Sequence, residues 1–198
     1  METDEDLADR SRHDPAAFEP LVDRHAAALH GYLTRRCGPA ADDLLSEVWL
    51  AAYARRADYD RALGSVRSWL FGIARNHVLA HWRRAASAAR ASGHGNGADE
   101  HDWSAVDARL DAASLLPALR AALNELTADE RELLLLIAWE QLTPSEAAQV
   151  TGIPPGTARS RLHRARTRMR GLLGAHSGAA PGVPPLTNPT VSANGGSA

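Results

Sequence analysis

A chain of 198 residues with 24 acids and 22 bases accommodates one ordinary domain or two small ones. Its near-balanced charge makes no whole-molecule case for a polyanionic partner, so any such case depends on where the charges sit. One cysteine, Cys37, excludes an internal disulfide framework and a cysteine-based metal site.

Residues 1–6 are acidic and lack an apolar core, so they are not a signal peptide. No apolar run approaches the roughly 20 residues that cross a bilayer. A cytoplasmic location with no membrane segment is expected. Every base is Arg and none is Lys, which fits GC-rich coding bias more simply than a demand for bidentate anion contacts.

Five zones follow in order. Residues 1–13 read as a disordered acidic arm. In residues 14–84, Asp14 is placed to cap a helix whose first position is Pro15. Its apolar stripe runs through Phe18, Leu21, Val22, Leu29, Tyr32 and Leu33, and Gly38-Pro39 stops it. A second stripe comprises Leu44, Leu45, Val48, Trp49, Ala52 and Tyr53. A third comprises Val66, Trp69, Leu70, Ile73 and Ala74, on a helix reaching about Arg84. Residues 85–112, centred on Ser92-Gly93-His94-Gly95-Asn96-Gly97, have the composition of a flexible linker. Residues 113–173 are helical again. Residues 174–198 are too poor in apolar side chains to fold. The fold class expected is all-α, two small bundles joined by a tether.

In the second bundle a helix is expected over residues 124–139. Thr143-Pro144-Ser145-Glu146 follows with a capping-box pattern. A short helix then leads to the turn Thr151-Gly152-Ile153, where Gly152 suits a positive φ, and Pro154-Pro155 opens the last helix. On it Ala158, Leu162, Ala165, Met169 and Leu172 form one narrow apolar stripe. Arg159, Arg161, Arg164, Arg166, Arg168 and Arg170 fill the remainder, with no acid from Gln149 onward. Six cations on one helix call for an anionic partner. The tight turn upstream makes this a helix-turn-helix, whose second helix enters a major groove. A membrane-surface helix would require larger apolar anchors.

These residues carry a family resemblance. Leu126-Thr127-Ala128-Asp129-Glu130-Arg131, with Ile153-Pro154-Pro155-Gly156-Thr157-Ala158-Arg159-Ser160-Arg161-Leu162-His163-Arg164-Ala165-Arg166, resembles region 4 of the extracytoplasmic-function sigma factors of bacterial RNA polymerase. That module reads the −35 promoter element. Ala147 and Ala158 stand where the family usually has Ile and Val. Ala41-Asp42-Asp43-Leu44-Leu45-Ser46-Glu47-Val48-Trp49-Leu50 resembles region 2.2, which docks on a coiled coil of the β′ subunit. Trp69-Leu70-Phe71-Gly72-Ile73-Ala74-Arg75-Asn76 and His81-Trp82-Arg83-Arg84 resemble regions 2.3 and 2.4, which open the −10 element. The loop from Asp58 to Ser65 falls where the family holds a flipped base.

The resemblance implies core polymerase (β′ coiled coil and β subunit) and promoter DNA as partners, commonly with an anti-sigma factor as a further one. It implies core docking by Asp42, Asp43, Leu44, Ser46, Glu47 and Trp49. It places −10 contacts at Tyr59, Arg61, Arg75, Asn76, Trp82, Arg83 and Arg84. It places −35 contacts at Thr157, Arg159, Ser160, Arg161, His163 and Arg164. Duplex opening needs aromatic surfaces and cations, and Trp69 is the aromatic expected to be structural instead. No catalytic residue and no cofactor is expected. His77 and His81 have a zinc-compatible spacing but no third ligand is evident. The acids Asp99, Glu100, Asp102, Asp107 and Asp111 read as linker solubility. The rival readings are a conventional helix-turn-helix regulator that never joins polymerase, an enzyme with a DNA-binding tail, and a sigma-like protein that docks without initiating.

Overall fold

The computed structural model describes residues 2–91 and 116–177, and every regular element among them is helical. Most of the expected linker, with His94, His101 and its acids, and residues 178–198 of the expected tail lie outside the described residues.

Helix α1 spans Asp4–Ser11, where a disordered arm was expected. Thr3 caps it by accepting from the Asp6 amide, and Asp4, Glu5 and Asp6 occupy the first turn, where acids complement the helix dipole. Leu7 and Ala8 are buried, so this segment has a small apolar face despite its acidity. Asp4, Asp6 and Asp9 are also partnered by arginines. Asp4 takes Arg24 at 2.6 Å and His25 at 2.7 Å.

A 3-10 turn over Pro15–Phe18, capped by Asp14, feeds α2 (Glu19–Cys37). Helix α2 ends at Gly38, whose φ of 52° is unfavourable for a side chain with a Cβ. Helices α3 (Ala41–Ala54) and α4 (Val66–Ala91) complete the N-terminal bundle. Helix α4 runs seven residues beyond Arg84, since the alanine-rich stretch after it has high helix propensity. The first stripe is buried as expected, with Val22 at its edge. The second is not entirely so, because Tyr53 is 39% exposed.

The helix expected over residues 124–139 is two. Helix α5 is Leu116–Asn124 and α6 is Ala128–Ala138. Between them Thr127 caps α6 in a second capping box, with Glu130 reaching back. Helix α7 (Pro144–Thr151) and α8 (Pro155–Ser177) follow, so α8 continues past Gly174, where the tail was expected. Ala147 and Ala158, small for their positions, are fully buried.

The two bundles are not separate bodies here. One apolar cluster includes Leu21, Tyr32, Leu70 and Phe71 from the first and Leu133, Leu136, Ala148, Val150 and Leu162 from the second. Helix α7 lies along α4.

Candidate promoter-reading and polymerase-docking surfaces

The helix-turn-helix is built by local rules. The Thr143 amide donates to Glu146 Oε2 at 2.9 Å and the Glu146 amide to Thr143 Oγ1 at 3.2 Å. Gly152 takes φ 71°, and its N–H reaches the carbonyls of Ala148 and Gln149, closing the last turn of α7. Helix α8 then leaves at the angle that buries Ala158, Leu162, Ala165 and Met169.

At 100° per residue that burial fixes the rest of α8. Arg159, Ser160, His163, Arg164 and Arg170 are exposed on the opposite side. Ser160 Oγ donates to the Thr157 carbonyl at 2.9 Å, and Thr157 is half-buried. Arg161 sits on a flank, 2.5 Å from Asp129. Arg164 and Arg168 approach Glu130 at 3.7 and 3.2 Å. The first turn of α6 therefore supplies acids to three of the six cations.

On α3, Asp43 and Ser46 are exposed on the same side as the half-buried Glu47, and Leu50, 72% exposed, lies among them. Asp42 is beside this face, its Oδ1 3.0 Å from His30 Nε2. Glu47 is held 3.0 Å from His77 Nδ1 and 3.9 Å from Arg84. Trp49 is half-buried, edge-on to Phe18 at 6.1 Å. Leu44 is 2% exposed; it is a core residue and does not present itself to a partner. Leu50 and Tyr53 were missed as surface groups. Leu50 lies inside the matching string, but only its position on the helix separates it from Leu44.

The expected −10 residues divide in two. Asn76, Arg83 and Arg84 are exposed and within about 100° of one another on α4. Tyr59 and Trp82 are buried, at 2% and 5%, which corrects their expected role as open stacking surfaces in this conformation. The Tyr59 hydroxyl donates to the Gly64 carbonyl at 2.9 Å, and burial with nearby Glu5 pushes its pKa up to about 12. Trp82 Nε1 donates to the Arg36 carbonyl at 3.3 Å. Trp69, expected to be the core aromatic, is half-buried and tilted against Tyr59 at 5.6 Å. Phe71 is fully buried. Arg61 is exposed but paired with Asp6 and Asp9 at 3.1 and 3.2 Å. Arg75 is half-buried, its Nε 3.8 Å from Glu132.

Comparison with known proteins identifies the family. The model of sigma-70 region 2 matches residues 21–88, and that of sigma-70 region 4 matches residues 116–169. The sigma factor CarQ of Myxococcus xanthus is 34% identical over 170 residues, covering 80% of this chain and 90% of CarQ. The chain belongs to the extracytoplasmic-function sigma factors. Another member, SigM of Mycobacterium tuberculosis, is 31% identical over 170 residues, covering 85% of this chain and 83% of SigM. Among solved structures, CnrH in complex with the cytosolic domain of CnrY superposes with a TM-score of 0.57 at 27% identity, covering 85% of this chain and 96% of that one. RpoE of Bartonella quintana, bound to the anti-sigma factor NepR, gives 0.57 at 25% identity, covering 79% and 96%. As a sigma factor the chain is a promoter-specificity subunit of RNA polymerase. No helix among the described residues is long and apolar enough to cross a membrane.

Proposed function

We propose a division of labour within this sigma factor. The exposed side of α3, with Asp43, Ser46, Glu47 and Leu50 and with Asp42 and Trp49 at its border, docks on core polymerase. Acids interleaved with an apolar side chain suit a basic coiled coil, whose cations they attract while Leu50 is removed from water. Asn76, Arg83 and Arg84 on α4, with Arg61 in the preceding loop, engage the −10 element. The outward side of α8 reads the −35 element: Arg159, Ser160 and His163 near its start face base edges, and Arg164 and Arg170 face phosphates. Catalysis stays with the polymerase. The working place is the cytoplasm, and an anti-sigma factor is a further partner, as it is for RpoE.

The observation that carries this reading is the joint presence of two outward faces of opposite character on two bundles, acidic and apolar on α3 and cationic on α8. A conventional regulator would need only the second. Run-off transcription with purified core polymerase tests the difference. Initiation that requires the chain, and that is lost in Asp43→Arg/Glu47→Arg, supports the assignment. Specific duplex binding by the chain alone, with no core binding and no transcript, would return it to the conventional regulators.

A further inference from the structure

Helix α1 has no part in the roles above, yet it is fastened to the loop that carries Arg61. Leu7, Ala8 and Ser11 are buried, so the helix is seated on the bundle. Asp4 at its start meets Arg24 and His25 on α2. At its end the Ser11 carbonyl accepts from Arg56 Nε at 3.0 Å, in the 3-10 turn Arg56–Asp58 that leads into the loop. Arg12, just past the helix, donates to the Tyr59 carbonyl and lies 3.6 Å from Asp9. A helix held at both ends in this way is a fixed support for the loop.

The loop is also closed by its own residues. The buried Tyr59 packs its ring on Trp69 and donates its hydroxyl to the Gly64 carbonyl. Between these two residues the chain makes a turn. The Leu63 amide donates to the Asp60 carbonyl at 3.0 Å, and the Ala62 amide donates to Asp60 Oδ1 at 2.9 Å, a side-chain turn that fixes the backbone locally. Arg61 and Leu63 are both exposed on this turn, Leu63 to 73%.

Asp6 and Asp9, one turn apart on α1, both meet the same nitrogen of Arg61, Nη2, at 3.1 and 3.2 Å. Two carboxylates on one nitrogen set the direction of the guanidinium and leave the fork of Nε and Nη1 for a partner. Asp58 and Asp60 flank Arg61 along the chain. A phosphate coming to this arginine would meet an excess of like charge, which is costly. A base edge carries no charge, its acceptors match an arginine fork, and Leu63 offers it apolar surface. We propose that Asp6 and Asp9 are positioning residues for promoter recognition. From α1 they direct Arg61 to an acceptor-bearing base edge of the −10 element and keep it off the backbone phosphates. The inference rests on the reading above that Arg61 engages the −10 element, and it gives the acidic start of the chain a part in sequence choice.

The test uses the full chain with core polymerase, transcribing a barcoded promoter library randomised over both promoter elements. Arg61→Ala should relax the base preference at one −10 position. Asp6→Asn/Asp9→Asn, which keeps shape and removes charge, should relax the preference at that same position by about fivefold or more. Total transcription over the library should stay within about twofold, since exposed ion pairs contribute little to stability. In an Arg61→Ala background the two Asn substitutions should change nothing further, a non-additivity that a merely structural role would not give. Glu2→Gln, whose carboxylate pairs with Arg10 instead, is the charge control and should match the parent. Circular dichroism verifies that each variant keeps its helices. A preference left intact by Asp6→Asn/Asp9→Asn overturns the positioning role, and so does a loss of transcription that persists in Arg61→Ala. If Arg61→Ala alters no −10 preference, Arg61 has no part in the promoter reading and the inference falls with it. A parent chain that initiates nowhere in the library refutes the promoter reading itself.

Discussion

Arg36 and Glu140 lie on different bundles, far apart in sequence, with both side chains buried and their charged groups 3.6 Å apart. Burial opposes the Arg36 charge, but Tyr32, Glu132 and Glu140 around it more than restore it, and its pKa is raised. Glu140→Ala would leave that charge short of a partner, a change that typically costs about 3–5 kcal/mol in a buried pair. Here the loss is relieved by undocking. Hydrogen exchange is therefore expected to quicken at the amides of α7 and the start of α4 while the centre of α2 stays protected. Unchanged exchange at α7 would contradict the assignment.

Reversing Asp43 and Glu47 to Arg should abolish binding to core polymerase without unfolding the chain, because both side chains lie at the surface of α3. The expected loss in run-off transcript is at least about tenfold, the effect of roughly 1.4 kcal/mol. Asp23→Arg, exposed on α2, serves as the charge control and should initiate normally.

On α8, Arg159→Ala and Arg164→Ala should separate reading from gripping. Arg159→Ala is expected to relax base preference at one −35 position at a cost of about 1–3 kcal/mol. Arg164→Ala should weaken binding to all sequences alike. Affinity measured over a panel of singly substituted −35 duplexes checks this. The same profile for both variants would refute the division.

Trp82 and Arg83 are neighbours with opposite fates. Trp82→Ala removes a core ring and should destabilise the chain by about 3–5 kcal/mol, visible as a lower denaturation midpoint in urea. Arg83→Ala should leave that midpoint within about 0.5 kcal/mol and weaken promoter opening instead. A Trp82→Ala variant of parent stability would mean that its ring is not structural.

Acid should loosen α7 from α4. Burial alone would raise the Glu146 pKa, but hydrogen bonds from Ser65 and from the Thr143 amide and hydroxyl, with Arg67 nearby, bring it below the ordinary glutamate value. A depressed carboxylate contributes stability above its unfolded pKa and loses it as pH falls towards the folded one. Docking is thus expected to be constant near neutrality and to weaken below the ordinary glutamate range. Asp4 shifts in the same direction, since hydrogen bonds from Arg24 and His25 outweigh its burial. Glu146→Gln separates the two: hydrogen exchange at α7 should lose part of its acid dependence, the Glu132 and Glu140 carboxylates remaining in the contact, while unfolding of α1 keeps its own.

Much of this was legible in the sequence wherever the governing interaction is local. The Thr143 capping box, the turn at Gly152 and the apolar stripe of α8 each depend on residues within a few positions, and all three are in place. The second capping box, Thr127 with Glu130, is equally local, but the unbroken apolar run from Leu133 suggests a continuous helix and masks it. What could not be read was tertiary. Nothing near Arg36 announces that it is buried, since its partners come from another bundle. Trp82 and Trp69 look alike as residues, and only the packing of α4 against α2 decides which is enclosed. Helix α1 reads as an arm because Arg24, His25 and Arg61, which meet its acids, lie far from it in sequence.

Asp129 and Glu130 have a consequence for how tightly this factor grips DNA. They sit beside Arg161, Arg164 and Arg168 as tethered counterions. On the −35 reading proposed above, a phosphate that takes Arg164 displaces in part the chain's own Glu130 carboxylate and not small ions from solution. Fewer salt ions are then released per cation engaged, so the affinity should fall less steeply with salt than six arginines would imply. The factor keeps a dense cationic helix yet is spared strong attachment to whatever DNA it meets first.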